Sequence, residues 1–384
     1  MVRLVSFVLL AAAAIPFIYY FLALVSSWRY FRQAEPAPGP AYTPPVSVLK
    51  PFRGVDPDAY DNLASFCRQD YPADYELIFC VDPDDESIPA LVEHLKRDFP
   101  EREIRILYGS GRVAANDKVA KLARMAAEAR YEVVVISDSD VRVQPDYLRA
   151  MVAPLAEPKV GAVTCFYVHT DLQTFADRLQ TVGMMSDFYA GILVAWQLDG
   201  IKFALGPSIA TTRERLAGFG GYAAIENSPG DDLLVGRLIA EQGYEVRLLR
   251  YTVSTVSDYR SISDLLHKRM RWIVVMRHMR PWGHFGLLCT QGLPWSLLAV
   301  AIHPTLAVAA AYLGGYLAVR IAITWLIGVH GLKRPGLWSQ MLLIPVWDAV
   351  AFGIWLVSFL RTSIRWRGAD YYIREGQLVP VAKE

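Results

Sequence analysis

From Leu4 to Val25 the chain carries no charged residue. A run of this length, wound as a helix, crosses the ~30 Å hydrocarbon core of a bilayer, and winding satisfies its backbone polar groups internally. The N-terminal segment is therefore expected in a membrane. Trp28, Arg29, Tyr30, Phe31 and Arg32 come next as an aromatic and basic interfacial anchor. Only Arg3 precedes the run and no small-residue cleavage site comes after it, so the segment reads as a retained anchor rather than a signal peptide. Three further apolar stretches cover Gly286 to His303, Thr305 to Val329 and Leu337 to Leu360. The first is short and carries Gly292 and Pro294, the pattern of a re-entrant or broken segment. Arg320 and Asp348 lie inside the other two, where such groups are either functional or partners in an ion pair between packed helices.

This uneven distribution explains the composition. Hydrophobic residues make up 53% of the 384 and charged residues 20%, below the ~25% charged of an average soluble domain. With 39 Lys and Arg against 38 Asp and Glu the net charge is +1, so there is no basic field to gather nucleic acid. Cys67, Cys80, Cys165 and Cys289 are far apart and form no C-x-x-C pair, which suits reduced thiols in a cytosolic setting. Arg29 and Arg32 outnumber Arg3, which directs the chain beyond the first span to the cytoplasm. Three full C-terminal spans would then export a tail that Arg361, Arg365 and Arg367 argue to keep inside, a conflict removed if one stretch does not cross. The expected organisation is an anchor over 1–32, a linker over 33–45 stiffened by Pro36, Pro38, Pro40, Pro44 and Pro45, an α/β domain over 46–284, a membrane region over 285–362 and a polar tail over 363–384.

The α/β assignment comes from alternation of β-rich runs (Val46 to Phe52, Tyr75 to Val81, Ile104 to Tyr108, Val133 to Ser137) with helical stretches (Tyr60 to Gln69, Ile88 to Asp98, Lys118 to Arg130). The pattern predicts a doubly wound, nucleotide-binding sheet, in which ligands bind at the C-terminal strand ends. Acidic clusters stand there: Asp82-Pro83-Asp84-Asp85 after one strand, Ser137-Asp138-Ser139-Asp140 after another. Asp138 and Asp140 are either ligands for a hard divalent cation, which favours carboxylate oxygens, or an acidic turn. Asp85 or Ser87 would equally serve as a cap for the helix beginning near Ile88. A third site, Gly230-Asp231-Asp232, opens a helix expected over Leu233 to Gln242; Asp231 suffices as its cap, leaving Asp232 free to act as a general base. Lys268-Arg269-Met270-Arg271-Trp272 lies in a helical stretch from Ile262 to Met279, either clamping a pyrophosphate or lying as a basic helix on the membrane. Phe175, Leu179, Val182, Met185, Phe188, Tyr189, Ile192 and Trp196 recur at helical spacing, as packing surface or as an entrance for a lipid.

These pieces, in this order, resemble the inverting GT-A glycosyltransferases, a Rossmann-like fold, and more narrowly glycosyltransferase family 21, the ceramide glucosyltransferase-like group. Val48-Leu49-Lys50-Pro51 with Gly54-Val55-Asp56 is similar to that family's opening strand and loop, Phe79-Cys80-Val81-Asp82 to its first aspartate region, and Asn116-Asp117-Lys118 to its N-x-K element. Asp138 falls at the second aspartate, Asp232 at the third, and Arg271-Trp272 at the end of the (Q/R)-x-x-R-W motif. Lys268 departs from that motif, keeping the charge but not the planar fork. Asp140 as a metal ligand follows the broader GT-A class, and the resemblance leaves open which of Asp82, Asp84 and Asp85 is the first aspartate.

The resemblance implies a UDP-sugar donor with Mg²⁺ or Mn²⁺, and a lipid hydroxyl acceptor reached from the bilayer. It assigns Asp232, Arg271 and Trp272 to catalysis, Lys50, Asp82, Asp84, Asp85, Lys118, Asp138 and Lys268 to the nucleotide sugar, and Asp138 and Asp140 to the metal. The Ala-rich spans and compact length favour the bacterial branch at the inner membrane, with N-acetylglucosamine passing to a hopanoid polyol of the bacteriohopanetetrol type. The alternatives are a ceramide glucosyltransferase and, from another class, an inactive membrane-anchored nucleotide-binding protein.

Overall fold

A computed structural model describes residues 2–33, 42–56, 58–256, 259–366 and 369–381. Pro36, Pro38 and Pro40 of the expected linker lie outside the described residues, as does Arg367. The chain divides into two compact units, one drawn from 34–171 and 200–258, the other from 1–33, 172–199 and 259–384. The second takes segments 172–199 and 259–284, which the sequence pattern groups with the α/β domain.

In the α/β unit, strands β1 (Val46–Pro51), β2 (Tyr75–Val81), β3 (Glu103–Tyr108) and β4 (Val133–Ser137) run parallel. Residues on both faces of β1, β2 and β4 are buried. That is why these strands read as unbroken apolar runs. Helices Ala59–Cys67, Ser87–Asp98 and Asp117–Glu128 connect them, close to the expected boundaries. Beyond β4 the sheet continues through strands that the sequence pattern does not place: β5 (Val141–Arg142), β6 (Val160–Thr170), β7 (Ser208–Thr212) and β8 (Glu245–Val256). The full order is β3-β2-β1-β4-β7-β6-β8-β5, with β7 antiparallel to both neighbours.

The chain steps outward from β1 to β3 and then returns to the far side of β1 as β4. Such a reversal opens a crevice at the C-terminal strand ends. Residues just after β1, β2 and β4 converge on it. Helix Asp231–Glu241 joins this edge by close backbone approach: a Cβ on Gly236 would collide with the main chain of Phe203 and Ala204.

Among the described residues, the helical unit has three helices long and apolar enough to cross a membrane, Leu4–Arg32, Leu306–Gly331 and Pro335–Ser358. The fourth apolar stretch is broken, with Pro281–Thr290 and Gly292–Ile302 meeting at 50°. Gly292 is required at the break, because its N–H donates to Tyr20 Oη at 2.9 Å where a Cβ would clash. Arg320 and Asp348 are partners. Arg320 Nε and Nη2 donate to the two carboxylate oxygens at 3.0 and 2.5 Å, Tyr316 donates to Asp348 Oδ2 at 2.7 Å, and the remaining guanidinium donors reach the carbonyl and hydroxyl of Ser186. The stretch from Leu172 to Trp196 folds as helix Phe175–Gly183, a π turn Met184–Phe188 and helix Tyr189–Asp199. Leu179, Val182, Met185, Tyr189 and Ile192 are buried, so most of the stripe is packing surface. The polar tail is a folded element, the antiparallel sheet of β9 (Ser363–Trp366), β10 (Ala369–Arg374) and β11 (Gln377–Pro380).

Candidate active site

The crevice edge is organised around Lys118. Asn116 caps helix Asp117–Glu128, its side chain accepting from Val119 N and donating to the Ser228 carbonyl at 2.8 Å. This tie brings the segment before Asp231 alongside the helix that carries Lys118. Lys118 Nζ then bridges Asp138 Oδ1 at 2.7 Å and Asp231 Oδ2 at 3.2 Å. Two acidic sites far apart in sequence become one. Its flanking carboxylates hold the ammonium in its charged form, pushing its pKa up against the opposing effect of burial.

The paired acids of the third site have separate tasks. Asp231 is not the cap; Gly230 occupies that position, and the Asp231 carboxylate is spent on Lys118. Asp232 is oriented by backbone donors instead, Oδ2 accepting from Gly206 N at 3.0 Å and Oδ1 from Leu233 N at 2.8 Å. Gly206 lets the loop approach this closely, since a Cβ there would sit 3.0 Å from Oδ2. Burial, and then the charge of Asp231, push the Asp232 pKa up to about 6, with Lys118 pulling the other way. A carboxylate with that value ionises near neutrality yet binds a proton readily, as a general base requires.

Below Asp138 lies a second concentration of charge. Lys50 is fully buried, its Nζ donating to the Asp138 carbonyl at 2.7 Å and Ser137 Oγ at 3.3 Å and sitting 3.8 Å from the centre of the Phe66 ring. It props the β4 end from beneath. Burial brings its pKa down to about 7. Burial, then the charges of Asp138 and Asp56, push Asp140 up to about 7. Carboxylates crowded this way have negative charge to spare, and they fit a hard cation completed by phosphate oxygens. Among the described residues no group of three or more His, Cys, Asp or Glu could hold a metal ion by itself.

At the end of β2 the three candidate acids separate. Asp82 pairs with Lys121, which also binds Asp117 at 2.9 Å and the Phe52 carbonyl at 2.7 Å. Asp85, one residue before the N-cap Glu86 of helix Ser87–Asp98, accepts at Oδ1 from Ser87 N and Ile88 N at 2.9 and 3.2 Å. Asp84 is exposed. Lys121 was missed in sequence; its signal was the placement of two lysines, 118 and 121, three apart on one helix face.

The model of glycosyl transferase family 21 matches residues 8–379, nearly the whole chain. The chain belongs to this family. Ceramide glucosyltransferase 3 of Caenorhabditis elegans is 24% identical over 267 residues, covering 69% of this chain and 58% of that protein. The beta-monoglucosyldiacylglycerol synthase of Synechocystis is 27% identical over 239 residues, covering 61% and 48%. The chain thus spans about half the length of these curated relatives. Among solved structures, the mannosyltransferase PcManGT from Pyrobaculum calidifontis, in complex with GDP-Man and Mn²⁺, superposes with a TM-score of 0.56 over 93% of this chain and 99% of that one, at 22% identity. The likeness shows that the fold is GT-A.

The last family 21 motif lies in the helical unit, on helix Ile262–Met279, whose bounds match the sequence expectation. Lys268 Nζ sits 4.4 Å from the Tyr259 ring centre. Trp272 packs on Arg269, whose guanidinium also lies 4.6 Å from the Trp347 ring and donates to Gln180 at 2.7 Å. Arg271 meets Trp366 of β9, with its guanidinium carbon 5.4 Å from the ring centre. Nothing in the sequence pointed to Trp366.

Proposed function

We propose that this family 21 protein is an inverting transferase that moves a hexose from a UDP-sugar to a hydroxyl of a membrane lipid. The observation that carries the reading is the division of labour at Asp231 and Asp232: one acid is held by Lys118, while its neighbour is oriented by backbone N–H groups with a pKa near 6. Asp232 would take the proton of the acceptor hydroxyl as that oxygen attacks the anomeric carbon. The bond to the UDP phosphate oxygen breaks with its electron pair leaving on the diphosphate, and the configuration inverts in one displacement. Lys118 would stabilise the charge developing on that leaving group, and the resemblance to the family gives Lys268 and Arg271 of its last motif the same task. Asp82 would bind the uridine and ribose. Asp138 and Asp140 would hold a divalent cation, Mg²⁺ or Mn²⁺, which when bound supplies further neutralisation of the diphosphate. Transfer that persists in full with excess chelator would remove both aspartates from that role.

Within this reading the finer assignment is N-acetylglucosamine transfer to a hopanoid polyol at a bacterial inner membrane, with the α/β unit in the cytoplasm. A second reading, ceramide glucosylation, is favoured by the names of the curated relatives. For topology, three crossings by Leu4–Arg32, Leu306–Gly331 and Pro335–Ser358, with the bent pair dipping in and returning, would keep Arg361 and Arg365 in the cytoplasm. The deciding experiment is mass spectrometry of lipids made by the purified protein from a panel of UDP-sugars with hopanoid polyol and ceramide acceptors. Hexosylated lipid is expected; its absence with every pair, together with no UDP release, would leave the inactive nucleotide-binding alternative.

A further inference from the structure

A carboxylate that takes a proton has to be aimed, and one oxygen of Asp232 is aimed from outside its own helix. Gly206 N donates to Oδ2 at 3.0 Å, whereas the Leu233 N–H on Oδ1 belongs to the helix that carries the acid. The direction of Oδ2 therefore depends on where the loop over residues 204–208 sits as it enters β7.

The backbone of that loop is spoken for group by group. Ala204 N donates to the Asp232 main-chain carbonyl at 3.3 Å, and Ser208 N closes a turn on the Leu205 carbonyl at 3.2 Å. Pro207 has no N–H, and its carbonyl accepts from Asp138 N at 3.4 Å. Leu205 N turns the other way, into the sheet, and donates to Thr164 Oγ1 at 2.9 Å. The same hydroxyl donates to the Ser208 carbonyl at 2.9 Å, so it grips the loop on both sides of Gly206. Thr164 is fully buried on β6, with Ala162, Val163, Cys165 and Phe166 as apolar neighbours along the strand. A hydroxyl in such a run is costly unless both its donor and its acceptor capacity are used, and here the loop uses both.

We infer that Thr164 is a positioning residue for the base: through Leu205 N and the Ser208 carbonyl it holds the Gly206 N–H on Asp232 Oδ2. Because Pro207 also meets Asp138 N, the same hydroxyl fixes the base relative to the end of β4. The inference rests on the reading of Asp232 as the proton acceptor.

The test is the kinetics of the full-length protein with Thr164→Val, which keeps the shape of the side chain and removes both hydrogen bonds. With the base mis-aimed, kcat should fall about tenfold. KM for the UDP-sugar should stay within about twofold, because β4 and β7 remain paired up to Ser137 and Ser208 and keep the strand-end aspartates in place. The acid limb of kcat/KM should move up by about one pH unit, since a carboxylate that loses an N–H donor is less stable ionised. The charged groups that face Asp232 are Asp231 beside it, Lys118 from helix Asp117–Glu128 and Asp138 from the end of β4, and the substitution alters none of them. Thr164→Ser keeps the hydroxyl and should regain most of the rate and the original limb. Gly206→Ala disturbs the same contact without touching Thr164, since its Cβ would sit 3.0 Å from Oδ2, and should reproduce the slower rate and the moved limb even if Thr164→Val fails to fold. Normal kcat and an unmoved limb in Thr164→Val, or a lowered Tm alone, overturn the inference while an inactive Asp232→Asn leaves the base role standing. Turnover in Asp232→Asn overturns both.

Discussion

Each unit contains a buried cluster of cation and carboxylate, and the two differ in their balance. In the helical unit Arg320 and Asp348 neutralise one another, and Tyr316 and Ser186 take up further hydrogen-bonding capacity. In the α/β unit a single Lys118 ammonium contacts Asp138 and Asp231, with Asp232 close enough to feel both. The first is built on a two-pronged ion pair, with Asp187 within electrostatic reach of it; the second sets several carboxylates around one ammonium, one of them with its pKa pushed up to about 6. A balanced buried pair fixes helices, whereas an unbalanced one stores a proton-accepting capacity that chemistry can use.

The sharpest way to break this distinction is Asp232→Asn. The amide keeps the volume and loses the ability to take a proton, so transfer should fall by about 10³-fold while UDP-sugar binding, measured by titration calorimetry, stays as it was. Near-normal turnover would remove Asp232 from the base role. The cluster of Arg320 and Asp348 should respond in stability rather than rate. Arg320→Ala leaves Asp348 buried without its partner, and should cost ~3–5 kcal/mol of stability, seen as a lowered Tm; replacing both by Met and Leu should recover most of it. If the double substitution is as damaging as the single, the pair is more than a structural tie.

Arg271→Ala should lower the catalytic rate by about 10²-fold, by analogy with loss of one charge-stabilising donor, with little change in folding. The acid limb of the pH profile tests the electrostatics of the site directly. As a base, Asp232 must be ionised, so kcat/KM should fall as pH drops through about 6. Lys118 lowers that value; Lys118→Met should therefore move the limb to higher pH as well as weakening donor binding. A limb that stays in place would show that another group controls it.

Legibility in the sequence obeys the same physics. β1, β2 and β4 were readable because burial on both faces demands unbroken apolar runs. β7 is nearly as buried but is Ser208–Thr212, and it reaches burial by hydrogen bonds: Ser208 to Tyr147 at 2.7 Å, Thr211 to the Gly161 carbonyl at 2.6 Å. Hydropathy does not register that route. In the site, acids at strand ends marked the crevice, yet the pairing of Lys118 with Asp231 spans a long sequence separation and depends on the Asn116 contact with Ser228. The full burial of Lys50 against the Phe66 ring was likewise not legible, because it depends on packing between elements far apart in sequence.

The smallest effect concerns the tail, and it asks whether the helical unit is purely structural outside its family motif. Arg277 on helix Ile262–Met279 donates to the carbonyls of Ser358 and Arg361, which turns the chain after the last span so that β9 runs beside that helix. Trp366 then rests against Arg271. A partly exposed cation–π contact contributes on the order of 1 kcal/mol, so Trp366→Ala should lower kcat about fivefold through a less well-placed guanidinium, with KM for the donor nearly unchanged. Trp366→Phe keeps an aromatic face and should regain most of the rate. If Trp366→Ala lowers Tm but leaves kcat intact, the sheet merely anchors the chain end; if kcat falls with an unchanged Tm, the tail positions the family arginine.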